Sequence, residues 1–144
     1  MKKYILILII YTMLIGCKSY VYTYAEGGYS VSKERETEIL KRYNATETDY
    51  SLLYIKTDFE SRPVKIYNDD EILLDKKLEK DLVLGISDIL RVPRYKDITI
   101  NDGKSKIKLS AKKLLSYKYI YLSKNNRFDK KYTVMLSNTM YGLR

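Results

Sequence analysis

Histidine and tryptophan are absent from the 144 residues, and cysteine occurs once, at Cys17. Without histidine there is no imidazole base and no Ser-His or Cys-His nucleophile, and a protein zinc site would lack its usual ligands. Enzymes built on those parts are excluded. No glycine-rich phosphate loop and no internal repeat is present, and the sequence implies neither a metal nor a cofactor. Hydrophobic residues make up 45% of the chain, enough for the modest core of one domain.

Charge and tyrosine are what the chain has in excess: 27 Lys or Arg against 18 Asp or Glu, and 16 Tyr against two Phe. The amino terminus is distinctive. Met1-Lys2-Lys3 is basic, and Tyr4 to Ile15 is an almost unbroken apolar run that ends at Gly16-Cys17. This is the layout of a secretory signal peptide. As a helix, a dozen residues span about 18 Å, short of the roughly 20 residues that cross a bilayer core.

The close of that run, Leu14-Ile15-Gly16-Cys17, resembles the lipobox of bacterial lipoproteins. The resemblance covers residues 1–17 and implies a thioether-linked diacylglycerol on Cys17, cleavage between Gly16 and Cys17, and acylation of the new amino group. Each buried methylene contributes about 0.8 kcal/mol, so two or more chains give a stable anchor where one does not. The residue after the cysteine is Lys18 rather than Asp, which by the same resemblance points to the outer membrane, with the periplasmic or the surface face left open.

Residues 1–16 are therefore expected to be a cleaved signal, and losing Lys2 and Lys3 takes the formal charge from +9 to +7. Residues 17–49 are poor in aliphatics and broken at Gly27-Gly28, as in a tether. Within them Tyr20, Tyr22 and Tyr24 alternate with smaller residues, as in a strand with one tyrosine face or a partly ordered linker. Residues 32–43 suit a short helix, with Ser32 as cap, Glu34 and Glu36 early, Lys41 and Arg42 late, and an apolar face of Ile39, Leu40 and Tyr43.

From residue 50 to 144 short runs with a period of two alternate with turn residues, which predicts an all-β domain: a two-sheet antiparallel β-sandwich of seven to eight strands. The strands are expected near 50–57, 63–68, 71–77, 81–87, 96–101, 105–110, 117–124 and 131–138. Asn68-Asp69-Asp70 and Asn101-Asp102-Gly103-Lys104 supply residues that tolerate hairpin turns. Leu53, Ile55, Val64, Ile66, Ile72 and Leu74 fall on alternate positions and should face inward, as should Leu82, Leu84, Ile86, Ile98 and Ile100. Ile107, Leu109, Ile120, Leu122, Val134 and Leu136 continue the pattern.

Carboxylates are the remaining catalytic material. Asp58, Glu60, Asp69, Asp70 and Glu71 are the densest group, and a hydrolase would need two of them across a cleft, yet Asp69 and Asp70 sit where a turn wants them. Ser110-Ala111-Lys112-Lys113 matches Ser-x-x-Lys without the companion motifs of enzymes that use it. Basic residues gather late in the chain, and exposed tyrosine offers one apolar face and one polar tip to a sugar or a protein. The candidate binding surface is thus Tyr119, Tyr121, Lys124, Arg127, Lys130, Lys131 and Tyr132, around the loop 124–130.

The reading is a non-enzymatic envelope protein, attached to the membrane through Cys17, that binds an envelope protein or a glycan, with no role for nucleic acid in an exported chain. An inhibitor or immunity protein that plugs a hydrolase or toxin, and a carboxylate-based hydrolase using Asp58 and Glu60, are the alternatives. Cys17→Ala is expected to abolish both lipid labelling and signal processing, read by metabolic labelling and by gel mobility; an unlabelled wild type refutes the anchor.

Overall fold

Two unusually apolar runs, Ser51–Ile55 and Tyr119–Leu122, lie side by side in the middle of the larger of two sheets. The computed structural model describes residues 20–24, 29–56, 59, 62–79, 85–124 and 132–142. They form nine strands and two short helices: β1 (Tyr20–Tyr24), α1 (Lys33–Arg42), β2 (Tyr50–Lys56), β3 (Pro63–Tyr67), β4 (Ile72–Lys77) and β5 (Ile86–Pro93), followed by β6 (Ile98–Asn101), β7 (Lys106–Leu109), α2 (Ala111–Leu114), β8 (Tyr119–Lys124) and β9 (Tyr132–Ser137). One sheet has the order β1-β9-β8-β2-β5 and the other β4-β3-β6-β7, so the chain is an all-β sandwich as its alternation predicts.

The pairing is not purely antiparallel. β2 runs parallel to β8, with Leu53 opposite Ile120, and β1 runs parallel to β9, with Tyr20 opposite Tyr132. Parallel neighbours cannot be joined by a tight turn. The chain between β2 and β8 instead builds the whole second sheet, in which β3–β4 and β6–β7 are the two expected hairpins. In the first, Asn68 Oδ1 accepts from the amides of Asp70 at 2.8 Å and Glu71 at 3.0 Å. In the second, Gly103 takes φ +81°, a conformation that costs a residue without a Cβ little.

The segment expected as a tether enters the fold. β1 adds an edge strand, and its Tyr20 and Tyr22 pack on the core while Tyr24 is largely exposed. The Tyr20 hydroxyl donates to the Lys108 carbonyl of β7 at 2.9 Å, crossing from one sheet to the other, and the Lys113 ammonium of α2 lies 3.5 Å from the Tyr22 ring centroid. The helix also forms nearly as predicted: Ser32 accepts from the Arg35 amide, and Asn44 at φ 50° ends it.

Twelve of the seventeen residues expected inward are in the core between the sheets, among them Leu53, Ile55, Val64, Ile98, Ile120 and Val134. Ile72 is not: it is 59% exposed, because the β3–β4 register shifts at Ile66/Tyr67 and lifts the start of the edge strand off the core. Leu74 is only partly buried, Ile86 packs on the other face of the five-stranded sheet, and Leu82 and Leu84 lie outside the described residues. Residues 81–84 of the strand expected at 81–87 lie outside the described residues, and β5 runs on from Ile86 to Pro93, where Leu90 and Val92 join the core.

One carboxylate ties the sheets together. Asp102, in the β6–β7 turn, is 3% exposed. Its Oδ1 accepts from the amides of Lys104 and Ser105, and its Oδ2 from Arg62 Nη1 at 3.2 Å and from the hydroxyl of Tyr132 at the start of β9. The Tyr132 ring stacks on Phe59 with centroids 5.5 Å apart. Burial opposes ionisation of Asp102, but these four donors outweigh it and hold its carboxyl below the usual range.

Asp102→Ala should cost about 2 to 3 kcal/mol in urea unfolding, because it strands a buried hydroxyl, two amides and a guanidinium. The carboxyl is lowered in the folded state, so its contribution is complete above the ordinary carboxylate value near pH ~4 and is lost as pH falls through the lower folded value. Asp102→Asn should flatten that acid limb of the stability profile; an unchanged limb would assign it to other acids.

Candidate functional site

The outer face of the five-stranded sheet is covered by a layer that the strands alone would not supply. Leu52 and Tyr54 of β2 and Tyr119 and Tyr121 of β8 are each at most 3% exposed and form a second apolar cluster with Ala45 and Met140, against which Ile39, Leu40 and Tyr43 of the α1 region pack. Tyr54 and Tyr121 are register partners and stack with centroids 4.8 Å apart and planes at 17°. Such pairs contribute about 0.5 to 1.5 kcal/mol beyond their area.

Two contacts fix the helix and the carboxyl-terminal segment on this face. The Tyr119 hydroxyl donates to Glu36 Oε1, and burial together with that carboxylate pushes the Tyr119 pKa well up. The Tyr121 hydroxyl accepts from the Tyr141 amide at 2.9 Å, and burial raises its pKa to about 12. The chain before the helix closes the layer, with the Val31 amide on the Met140 carbonyl and the Gly142 amide on the Tyr29 carbonyl.

Between α1 and β5 this layer leaves a groove of about 200 Å³. Its walls are Ile39 and Tyr43 on one side and Ile86 and Ile89 on the other, with Arg35 and Arg42 along the helix edge. Both arginines are exposed, and neither makes an ion pair with a described residue. Tyr54 also lines the groove, and its buried hydroxyl has no hydrogen-bond partner among the described residues. The combination of apolar walls, two exposed guanidinium groups and a hydroxyl without a partner among the described residues suits an acidic segment that carries a bulky apolar side chain.

The residues expected to form a binding surface do not come together as one. Tyr119 and Tyr121 are buried beneath α1, and Tyr132 points the other way, between the sheets, so they line opposite faces of one sheet and leave no open tyrosine platform. Lys124 is 9% exposed. Arg127, Lys130 and Lys131, like Gly16 and Cys17, lie outside the described residues. The groove residues Arg35, Arg42, Ile89 and Tyr54 were not singled out by the sequence; the signal that could have found them is the apolar stripe Ile39, Leu40 and Tyr43, which requires a sheet face to cover.

The late basic residues divide by role. Lys108 pairs with Asp97 at 3.0 Å, and Lys118 donates to the carbonyls of Glu47 at 2.6 Å and Tyr50 at 2.9 Å. Lys104 and Lys106 are exposed and unpaired among the described residues, with Lys106 and Lys108 on the face opposite buried Ile107 and Leu109, as expected.

Several acids are likewise engaged. Asp70 pairs with Lys96, Asp88 with Lys76 at 2.7 Å, and Asp97 accepts from the Ala111 amide at 2.8 Å. Asp69, Asp70 and Glu71 line a wide depression with Lys65, Tyr67 and Asn101, while Asp58 and Glu60 lie outside the described residues. Ser110 precedes α2 and its hydroxyl makes no cap bond, while Lys113 of the Ser-x-x-Lys match is committed to the Tyr22 ring. Among the described residues no three acidic or cysteine side chains group as a metal site would require.

Scanned against protein-family models and against curated proteins, the sequence matches none. Tyr54→Phe keeps the stack on Tyr121 and removes a buried hydroxyl that bonds no described residue, so it should stabilise the free protein by about 1 kcal/mol in urea unfolding. A loss of stability would reveal a partner for that hydroxyl.

Proposed function

We propose that this chain is a lipid-anchored protein of the cell envelope, held at the outer membrane through Cys17, and that its β-sandwich acts by binding another envelope protein rather than by catalysis. The anchor rests on Leu14-Ile15-Gly16-Cys17 at the end of a signal-like run and on Lys18 after it. The observation that carries the binding reading is the groove between α1 and β5, where two exposed guanidinium groups border an apolar slot over a buried hydroxyl that has no partner among the described residues. Such a slot matches the anchors of protein interfaces, in which a buried apolar or aromatic group is ringed by charge.

Two further points support a protein partner. Tyr119, Tyr121 and Tyr132, the tyrosines expected to meet a glycan, are buried, and Asp102, Asp70, Asp88 and Asp97 are held in a turn, in ion pairs and at a helix start. The partner segment is acidic, since Arg35 and Arg42 meet it, and it inserts an apolar side chain between Ile39 and Ile89.

Crosslinking the full-length protein in its native envelope, followed by capture, tests this. One protein recovered in stoichiometric amount with the wild type, and reduced about tenfold or more with Arg35→Glu/Arg42→Glu, is the expected result; if that protein is a hydrolase or toxin, the chain is its inhibitor. Recovery that is indifferent to the two arginines, or of lipid or glycan alone, overturns the groove as the binding site.

A further inference from the structure

The strand register fixes which end of the sandwich faces the membrane that holds the anchor. This inference rests on the lipidation of Cys17. Only Lys18 and Ser19 separate Cys17 from Tyr20, and three Cα–Cα steps reach at most about 11 Å, close to the Debye length of roughly 8 Å at physiological salt. Tyr20 opens β1 in register with Tyr132, and Tyr132 lies opposite Lys124, the last residue of β8. Since β2 is parallel to β8, Lys56 ends at the same level, opposite Ile86.

The second sheet is tied to this end by the Tyr132 hydroxyl on Asp102, which sets the β6–β7 turn and Arg62 beside it. Lys106 faces Asn101 at the mouth of that turn, and Lys77 faces Pro63, the residue after Arg62. Four lysines thus converge here from four different elements: Lys56, Lys77, Lys104 and Lys106. Three are exposed and Lys56 is half-exposed, and none makes an ion pair with a described residue.

The acids at this end do not cancel them. Asp102 and Asp88 are already paired, with Arg62 and Lys76, which leaves Glu79 among the described residues. In sequence, the connecting segments 57–61, 80–84 and 125–131 hold as many acidic as basic residues. The opposite end is nearly balanced, because Glu47, Asp49, Asp69, Asp70, Glu71 and Asp97 meet Arg94, Lys96, Lys112, Lys113 and Lys118 there. The excess of positive charge among the described residues therefore lies at the end next to the anchor.

We propose that the anchor-proximal end of the sandwich, through Lys56, Lys77, Lys104 and Lys106, docks on the phosphate-bearing anionic headgroups of the membrane in which Cys17 is embedded. A Lys or Arg close to an anionic surface is worth about a fivefold gain in association, and the gain fades beyond a Debye length. A tether as short as two residues keeps these side chains within that range, so docking sets an orientation: β1 leads away from the membrane, and the acidic turn of β3–β4 points into the aqueous phase.

The test uses the full-length, lipidated protein in vesicles of phosphatidylglycerol and phosphatidylethanolamine whose headgroups carry a quencher. With Cys17 in a thioether, a thiol-reactive fluorophore labels only an introduced cysteine, placed at Lys104→Cys in one protein and Asp70→Cys in another. Severalfold stronger quenching at position 104 than at position 70, abolished by Lys56→Glu/Lys77→Glu/Lys106→Glu and weakened by high salt or purely zwitterionic vesicles, is expected. Equal quenching at the two positions, or a difference that survives the triple charge reversal, overturns the docking. Flotation of the vesicles separates the two claims: protein that does not float refutes the anchor and the orientation together, whereas floating protein with equal quenching refutes the orientation alone.

Discussion

Parallel pairing of β2 with β8 is the constraint from which most of this architecture follows. Because no short turn can join parallel neighbours, the chain must leave the sheet after Lys56 and come back more than sixty residues later, and the excursion is long enough to be the second sheet. The pair also forms the middle of the five-stranded sheet, so both of its faces need cover. The second sheet covers one face. On the other, α1 lies over Leu52, Tyr54, Tyr119 and Tyr121, and the slot between helix and β5 is what that imperfect cover leaves open.

Polar contacts at its margins join the two sheets of the sandwich in addition to its apolar interior. Asp102 joins the β6–β7 turn to β9, and Tyr20 joins β1 to β7. Both bonds begin in the five-stranded sheet and end in the four-stranded one, and in both a tyrosine hydroxyl is the donor that crosses between them. This gives the tyrosine excess a structural use: several of these rings serve as apolar bodies with one donor at the tip, aimed across an internal boundary.

The sequence made the strands legible wherever one face is wet, as at Lys106–Leu109, where the pattern alternates cleanly, and it made the hairpins legible because Asn68 and Asn101-Asp102-Gly103 carry their own turn chemistry. It obscured β5, where a register shift between Ile55 and Lys56 interrupts the alternation and Pro93 closes the strand at a sheet edge. It also misplaced the tyrosines. A period of two says which residues share a face and nothing about whether a helix from elsewhere will cover it. The unbroken apolar run at Ser51–Ile55 was the available sign that both faces of β2 are buried. The groove was illegible for a related reason, since it exists only between two elements far apart in the chain.

The edge position of β1 has a mechanical side. Its five residues run in register alongside Tyr132–Leu136. Tension delivered to the amino-terminal side of Tyr20 acts along the strand, so the ladder is loaded in shear: all of its bonds share the force at once instead of opening one after another. The cross-sheet bond from Tyr20 and the ammonium of Lys113 over Tyr22 add resistance on the flank away from β9. Pulled from that end, the domain would yield at a rate set by its unfolding barrier rather than by the peeling of a loose strand.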